Sequence, residues 1–142
     1  MIIESLLSCI VLVVLIVSSV SDLYNTYIPN FLSYGLIVIA LVSRIIASFY
    51  YNDFSIIVYG LVFLIIGFVL CQTVFSLRLF GGGDLKILTG LFVSYGGFYM
   101  INFLFHLFFI GFLYSLCYYL ATRKTSHFAF MPAILLSYLS IL

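Results

Sequence analysis

Charge is nearly absent from this chain. Its 142 residues include five Lys or Arg and four Asp or Glu, for a formal net charge of +1, and 66% are hydrophobic. A soluble domain of that size would expose a largely apolar surface, so the composition excludes a soluble fold and leaves a membrane-embedded one. There is no basic stripe either, which removes nucleic acid as a partner. Cysteine is sparse: Cys9, Cys71 and Cys117 lie far apart inside apolar runs, without a Cys-x-x-Cys pair. They read as small packing residues, and neither a disulfide framework nor a zinc site follows from them. Neither Gly-x-Ser-x-Gly nor His-Glu-x-x-His occurs, so serine and zinc intramembrane proteolysis are unsupported. His106 and His127 have no second His or acid at ligand spacing, and no metal or other cofactor is expected. The first apolar run starts with Glu4 instead of Lys or Arg, and no small-x-small site follows it. It therefore reads as a mature helix and not as a signal peptide.

What remains is a series of apolar runs of roughly the 20 residues that a spanning helix needs. They extend from about Ile3 to Val20, Asn30 to Tyr50, Phe54 to Leu77, Phe98 to Ala121 and Phe128 to Leu142. A shorter segment, Leu85 to Tyr95, predicts a fourth helix that is shallow or tilted and ends at Gly96-Gly97. The expected fold is an all-α, polytopic membrane bundle of about six transmembrane helices. With no repeat, low-complexity tract or linker, residues 1–142 read as one membrane-embedded domain. Arg78, Lys86, Arg123 and Lys124 fall on the side of the Ser21–Pro29 connector, whereas Arg44, Glu4 and Asp53 fall on the other. Lys/Arg-rich short loops stay cytoplasmic, so the Ser21–Pro29 side is predicted inside and both termini outside.

The few acids then stand out, because an ionisable group beside a bilayer is costly. Asp22 ends the first run and Asp84 closes Gly81-Gly82-Gly83-Asp84. Two complete crossings separate them, and an even number returns the chain to the side it left. Both carboxylates are therefore expected at one face. Peptide hydrolysis by an acid pair needs one carboxylate to take a proton from water and a protonated partner to polarise the scissile carbonyl. Two carboxyls held close do not easily both ionise, which splits their macroscopic pKa values. The bland alternative is that each acid caps a helix. That suits Asp84, which precedes an apolar segment, better than Asp22, which follows one. Gly81, Gly82 and Gly83 predict a mobile approach to Asp84 free of side chains. Lys86 is expected to snorkel to the headgroups, and Pro29 with Asn30 to start the second helix. Gln72 and His106 read as hydrogen-bonding glue between helices, His106 through Asn102.

These residues resemble the type IV prepilin peptidases, a family of Gly-x-Gly-Asp membrane aspartyl proteases. Gly81-Gly82-Gly83-Asp84-Leu85-Lys86 is similar to the family's Gly-x-Gly-Asp-x-Lys element. Asp22-Leu23 followed by Ile28-Pro29-Asn30 is similar to its first-aspartate element, and Phe128-Ala129-Phe130-Met131-Pro132-Ala133 to its closing Phe-Ala-x-x-Pro stretch. The resemblance implies a six-helix aspartic endopeptidase of the cell membrane. It would cleave leader peptides from prepilin-like substrates at the cytoplasmic face, with Asp22 and Asp84 as the catalytic pair. Tyr24, Asn25 and Thr26 stand where members often carry Arg or Lys. The Cys-x-x-Cys pairs of an N-terminal methyltransferase region are missing, so the expected form is peptidase-only, as in Flp pilus or preflagellin processing. Two other classes compete: an ion-coupled carrier using Asp22 and Asp84 as a relay, and a non-catalytic pilus-assembly protein. A relay would place its acids near mid-membrane, whereas these lie at run ends.

Overall fold

The structure, a computed structural model, describes residues 2–25, 27–76, 82–122 and 129–141. Gly81, Arg78, Arg123, Lys124, His127 and Phe128 lie outside the described residues. Helices account for almost everything else: α1 spans Ile2–Asn25, α2 Asn30–Tyr51, α3 Ser55–Ser76, α4 Gly82–Tyr95, α5 Gly97–Thr122 and α6 Met131–Leu139. Among the described residues there is no strand, so the all-α bundle expected from composition is the observed fold. Four helices, α1, α2, α3 and α5, are long and apolar enough to cross a membrane. The 14 residues of α4 and the nine of α6 rise only about 21 and 14 Å at 1.5 Å per residue. Both fall short of a hydrocarbon core of about 30 Å.

The short α4 lies at the centre. Asp84, Leu85 and every residue from Ile87 to Ser94 are buried, as expected for a helix that is apolar all round. It packs on α2 and α3 and more lightly on α5, while α6 packs on α1 and α5. Three points set α4 parallel to α2: Lys86 meets Asn30, Gly90 lies against Leu36 and Ile37, and Arg44 reaches Val93 and Ser94. The end of α4 opens on a cavity that it shares with Glu4, Tyr51 and Ile56, at the opposite ends of α1, α2 and α3. The segment expected to be shallow thus joins the two ends of the bundle. Protein meets its last carbonyls. Arg44 donates through Nε to the Val93 carbonyl at 3.1 Å and through Nη2 to that of Ser94 at 2.7 Å. Unmet carbonyls in hydrocarbon would cost several kcal/mol each. Arg44, counted above among the charges of the side opposite the acids, is a helix cap.

The helix boundaries refine the sequence expectation at the two places that matter. α1 continues past Val20 through Asp22 to Asn25, because the length of an apolar run measures burial and not helix length. α4 begins at Gly82, so Gly82 and Gly83 form a helical turn and not a mobile approach. Pro29 is the N-cap of α2, with φ −57° and ψ 131°, one position before the site where proline usually starts a helix. α2 closes on Asn52 in the left-handed region, and Asp53 Oδ1 then accepts the Ser55 amide at 2.9 Å to begin α3. Gly96, at φ +62°, makes the corner between α4 and α5. A side chain there would be strained and would also strike Phe63, whose ring lies 2.7 Å from an added Cβ.

Candidate active site

Asp22, in the last turn of α1, and Asp84, in the first turn of α4, are brought to the same end of the bundle by the outward and return passes of α2 and α3. Each is almost fully buried, at 7% and 6% exposure. They line one cavity of about 300 Å³ together with Tyr27, Ile28, Asn30, Gly82, Gly83 and Lys86. Asn30, Gly82, Gly83 and Lys86 were among the expected site residues. Pro29 supports the cavity from the start of α2 without lining it, and Gly81 lies outside the described residues.

Asp22 is held from the far end of the chain. Its Oδ2 accepts the Met131 amide at 3.0 Å, and the Phe130 amide faces the same carboxylate. These are the first amides of α6, a helix whose N-cap residue Phe130 makes no side-chain cap bond. The first amides of any helix lack an intrahelical acceptor, and Asp22 supplies one across 109 residues. A carboxylate at the C-terminal end of α1 opposes that helix's dipole. The N-terminus of α6 offsets the cost, and Asp84 gains the same benefit from α4, where it sits in the first turn. Two positive helix ends therefore converge on the two acids. Capping and an acid-pair role are compatible here, where the sequence presented them as alternatives. A findable signal existed: Pro132 marks a helix start at Met131, and only four acids in the chain were available to cap it.

Lys86 reaches across to α2. Its Nζ donates to Asn30 Oδ1 at 2.6 Å and lies 4.5 Å from the centroid of the Tyr34 ring. An amide oxygen and a π-face on α2 satisfy the ammonium better than a half-exposed extended rotamer would. The effect is to fix the start of α4 against the start of α2. Gly83 does the same against the connector before α2. A Cβ at Gly83 would come within 2.9 Å of the Ile28 Cβ, a contact that no real side chain makes without backbone movement. Ile28 is buried, and its approach to Gly83 sets how near Asp84 comes to the Asp22 segment. Sequence reading included Ile28 in the motif with Pro29 and Asn30 but gave it no role, and it passed over Tyr27, because a tyrosine in such a chain carries no distinguishing signal.

The remaining candidates separate from the site. His106 Nδ1 pairs with the Asn102 carbonyl at 2.9 Å, within α5 and not across to a neighbouring helix. Gln72 lines a side cavity beside Tyr34 and Lys86. Cys71 is buried behind α4, donating to the Leu85 carbonyl at 3.1 Å and accepting from Thr89. Cys9 and Cys117 are exposed. Among the described residues, no three His, Cys, Asp or Glu side chains gather in one place.

A polytopic helix bundle with two buried carboxylates at one end, each at a helix N-terminus, defines a membrane protein with a paired-acid cavity. The chain belongs to the Type IV leader peptidase family, which it matches over residues 9–116. That span includes both acids and every residue of the cavity, but ends before α6, whose amides hold Asp22. The family makes the protein a membrane peptidase of the leader-peptidase type. No curated protein and no solved structure matches the chain.

Proposed function

We propose that the protein is an aspartic-type endopeptidase that removes the leader from type IV prepilin-like precursors, of the Flp or preflagellin kind, at the cytoplasmic face of the cell membrane. The observation that carries this reading is the shared cavity. Asp22 and Asp84, from helices far apart in sequence, line one space of about 300 Å³, large enough for a peptide group and a water. Hydrolysis there uses one proton shared by the pair. The ionised carboxylate takes a proton from the attacking water, and the protonated partner donates to the scissile carbonyl oxygen. The resulting tetrahedral species collapses as a carboxyl protonates the leaving amine. Which acid starts as the base is a property of the pair. Because helical backbone has its carbonyls engaged, the substrate must be extended at the cut. Gly82 and Gly83 leave the wall beside Asp84 without side chains.

The positive-inside rule supports a cytoplasmic cavity, since Lys86 lines it and the sequence reading expects Arg78, Arg123 and Lys124 on the same side. Co-expression with candidate precursors from the same genome tests the activity. The expected result is a leader-sized mobility shift on a gel with the wild-type protein and none with Asp84→Asn, at equal membrane levels. Near wild-type turnover by Asp84→Asn would reject the acid pair.

A further inference from the structure

A second polar cavity lies at the end of the bundle opposite the acids. It encloses about 500 Å³, and all six helices contribute to its wall. Arg44 of α2 and Glu4 of α1 both line it, and Glu4 stands close enough to attract the Arg44 charge. The Val93 and Ser94 carbonyls take two of the Arg44 N–H groups, and a guanidinium has more to give. Other polar groups of the lining are engaged within the protein. The Tyr95 and Tyr138 hydroxyls bond each other, and Tyr95 also donates to Ser8 Oγ at 3.2 Å. Ser43 and Ser94 donate to the Ala40 and Gly90 carbonyls at 2.7 and 2.9 Å. The chemistry of the cavity is therefore set by one cation and one anion that share a space.

That space continues into an apolar groove. The two have Leu7 and Ser43 in common, and the groove adds about 360 Å³ between α1 and α2. Leu6 and Ile10 form one side of it, and Val38, Val42 and Ile46 the other. Each row has the four-residue spacing that keeps side chains on one helix face. The α2 row extends about 12 Å at 1.5 Å per residue, from beside the cavity to the middle of α2.

We propose that cavity and groove together form a binding site for a phospholipid of the phosphoethanolamine type. Its phosphodiester lies on Arg44, its primary ammonium on Glu4, and an acyl chain along the groove. Charge selects the headgroup. A guanidinium is a strong donor to phosphate oxygens, whereas an anionic headgroup with no ammonium meets repulsion from Glu4. The groove selects a lipid over a soluble zwitterion, because its lining is apolar except for Ser43 and only hydrocarbon fills it favourably. Since Arg44 also caps α4, a ligand held there stabilises the folded bundle by mass action. The site is separate from Asp22 and Asp84 and stands whether or not they form a peptidase.

The test is native mass spectrometry of the purified full chain. The protein is equilibrated in detergent with equimolar phosphatidylethanolamine, phosphatidylcholine and phosphatidylglycerol of matched acyl chains. The expected result is one retained phosphatidylethanolamine, at roughly tenfold over either competitor. A trimethylated ammonium has no N–H for Glu4, and one charge-assisted hydrogen bond is worth about that factor. Glu4→Gln, at an exposed position, should bring phosphatidylethanolamine and phosphatidylcholine to similar retention with little change in the lipid-free melt. Val42→Trp fills the groove from a side chain that is itself exposed and should weaken phosphatidylethanolamine retention several-fold. Asp84→Asn should retain the lipid as wild type does, and loss there would assign the lipid to the acid cavity and overturn the proposal. Equal retention of the three lipids, a preference that survives Glu4→Gln, or displacement of the lipid by equimolar glycerophosphoethanolamine overturns it as well.

Discussion

Asp22 has two tasks in this structure, and replacing it with Asn separates them. The carboxylate accepts the Met131 amide at 3.0 Å. In Asp22→Asn the amide oxygen still accepts that bond, so α6 keeps its cap but loses the charge. A charge-assisted hydrogen bond contributes about 1.5–3 kcal/mol and a neutral one about 0.5–1.5, so the variant should lose roughly 1–2 kcal/mol. That is small against a folding free energy of about 5–15 kcal/mol. It corresponds to a fall of a few degrees, at about 2–4 °C per kcal/mol for a chain of this size. Asp22→Ala leaves the amides bare and should cost more, about 2–4 kcal/mol in all. Activity responds differently. Neither Asn nor Ala can take a proton from water, and turnover should fall by at least about 10³-fold in both, equivalent to about 4 kcal/mol of barrier. The assay pairs cleavage of a precursor, followed on a gel, with a thermal melt in detergent. Stability should grade from wild type through Asn to Ala, whereas activity should drop once and equally. If Asp22→Asn melts within a few degrees of wild type and still cleaves at more than about a tenth of its rate, Asp22 is a cap and nothing more.

Three further outcomes follow from the geometry. Gly83→Ala drives a Cβ to 2.9 Å from the Ile28 Cβ, an overpacking worth about 1–3 kcal/mol. It should depress cleavage strongly, and Gly83→Val more so, whereas the exposed Gly82 should tolerate Ala better; cleavage measured beside melting temperature separates misplacement of Asp84 from unfolding. Arg44→Met removes both bonds to the end of α4 and should destabilise by about 3–6 kcal/mol, taking each charged bond at about 1.5–3. Arg44→Lys keeps one donor and should recover part of that, and an unchanged melt for Arg44→Met would show that water caps α4 instead. Asn25→Cys, at the exposed end of α1, should resist an impermeant thiol reagent applied outside intact cells, in a background lacking Cys9, Cys71 and Cys117. Labelling from outside would invert the orientation and end the assignment to precursors presented from the cytoplasm.

The sequence alone determined the class, the approximate extents of α2, α3 and α5, and the meeting of two acids at one end. Each of these depends on quantities that are local or additive along the chain. An apolar run must match a bilayer in length, and two passes return the chain to its starting side whatever the packing. The groups that finish the site are of another kind. Asp22 caps a helix that begins 109 residues later. Arg44 caps one whose last carbonyls lie 49 and 50 residues away. Lys86 bonds Asn30, 56 residues back. In hydrocarbon, backbone groups at helix ends must find partners inside the protein. That requirement is visible in a sequence as a Pro132 or a Gly82, but the residue that meets it depends on which helix ends the tertiary packing brings together. The short α4 shows the same division. Its length was readable, yet only burial at the centre of the bundle, with Arg44 at its end, lets 14 residues join one end of the bundle to the other.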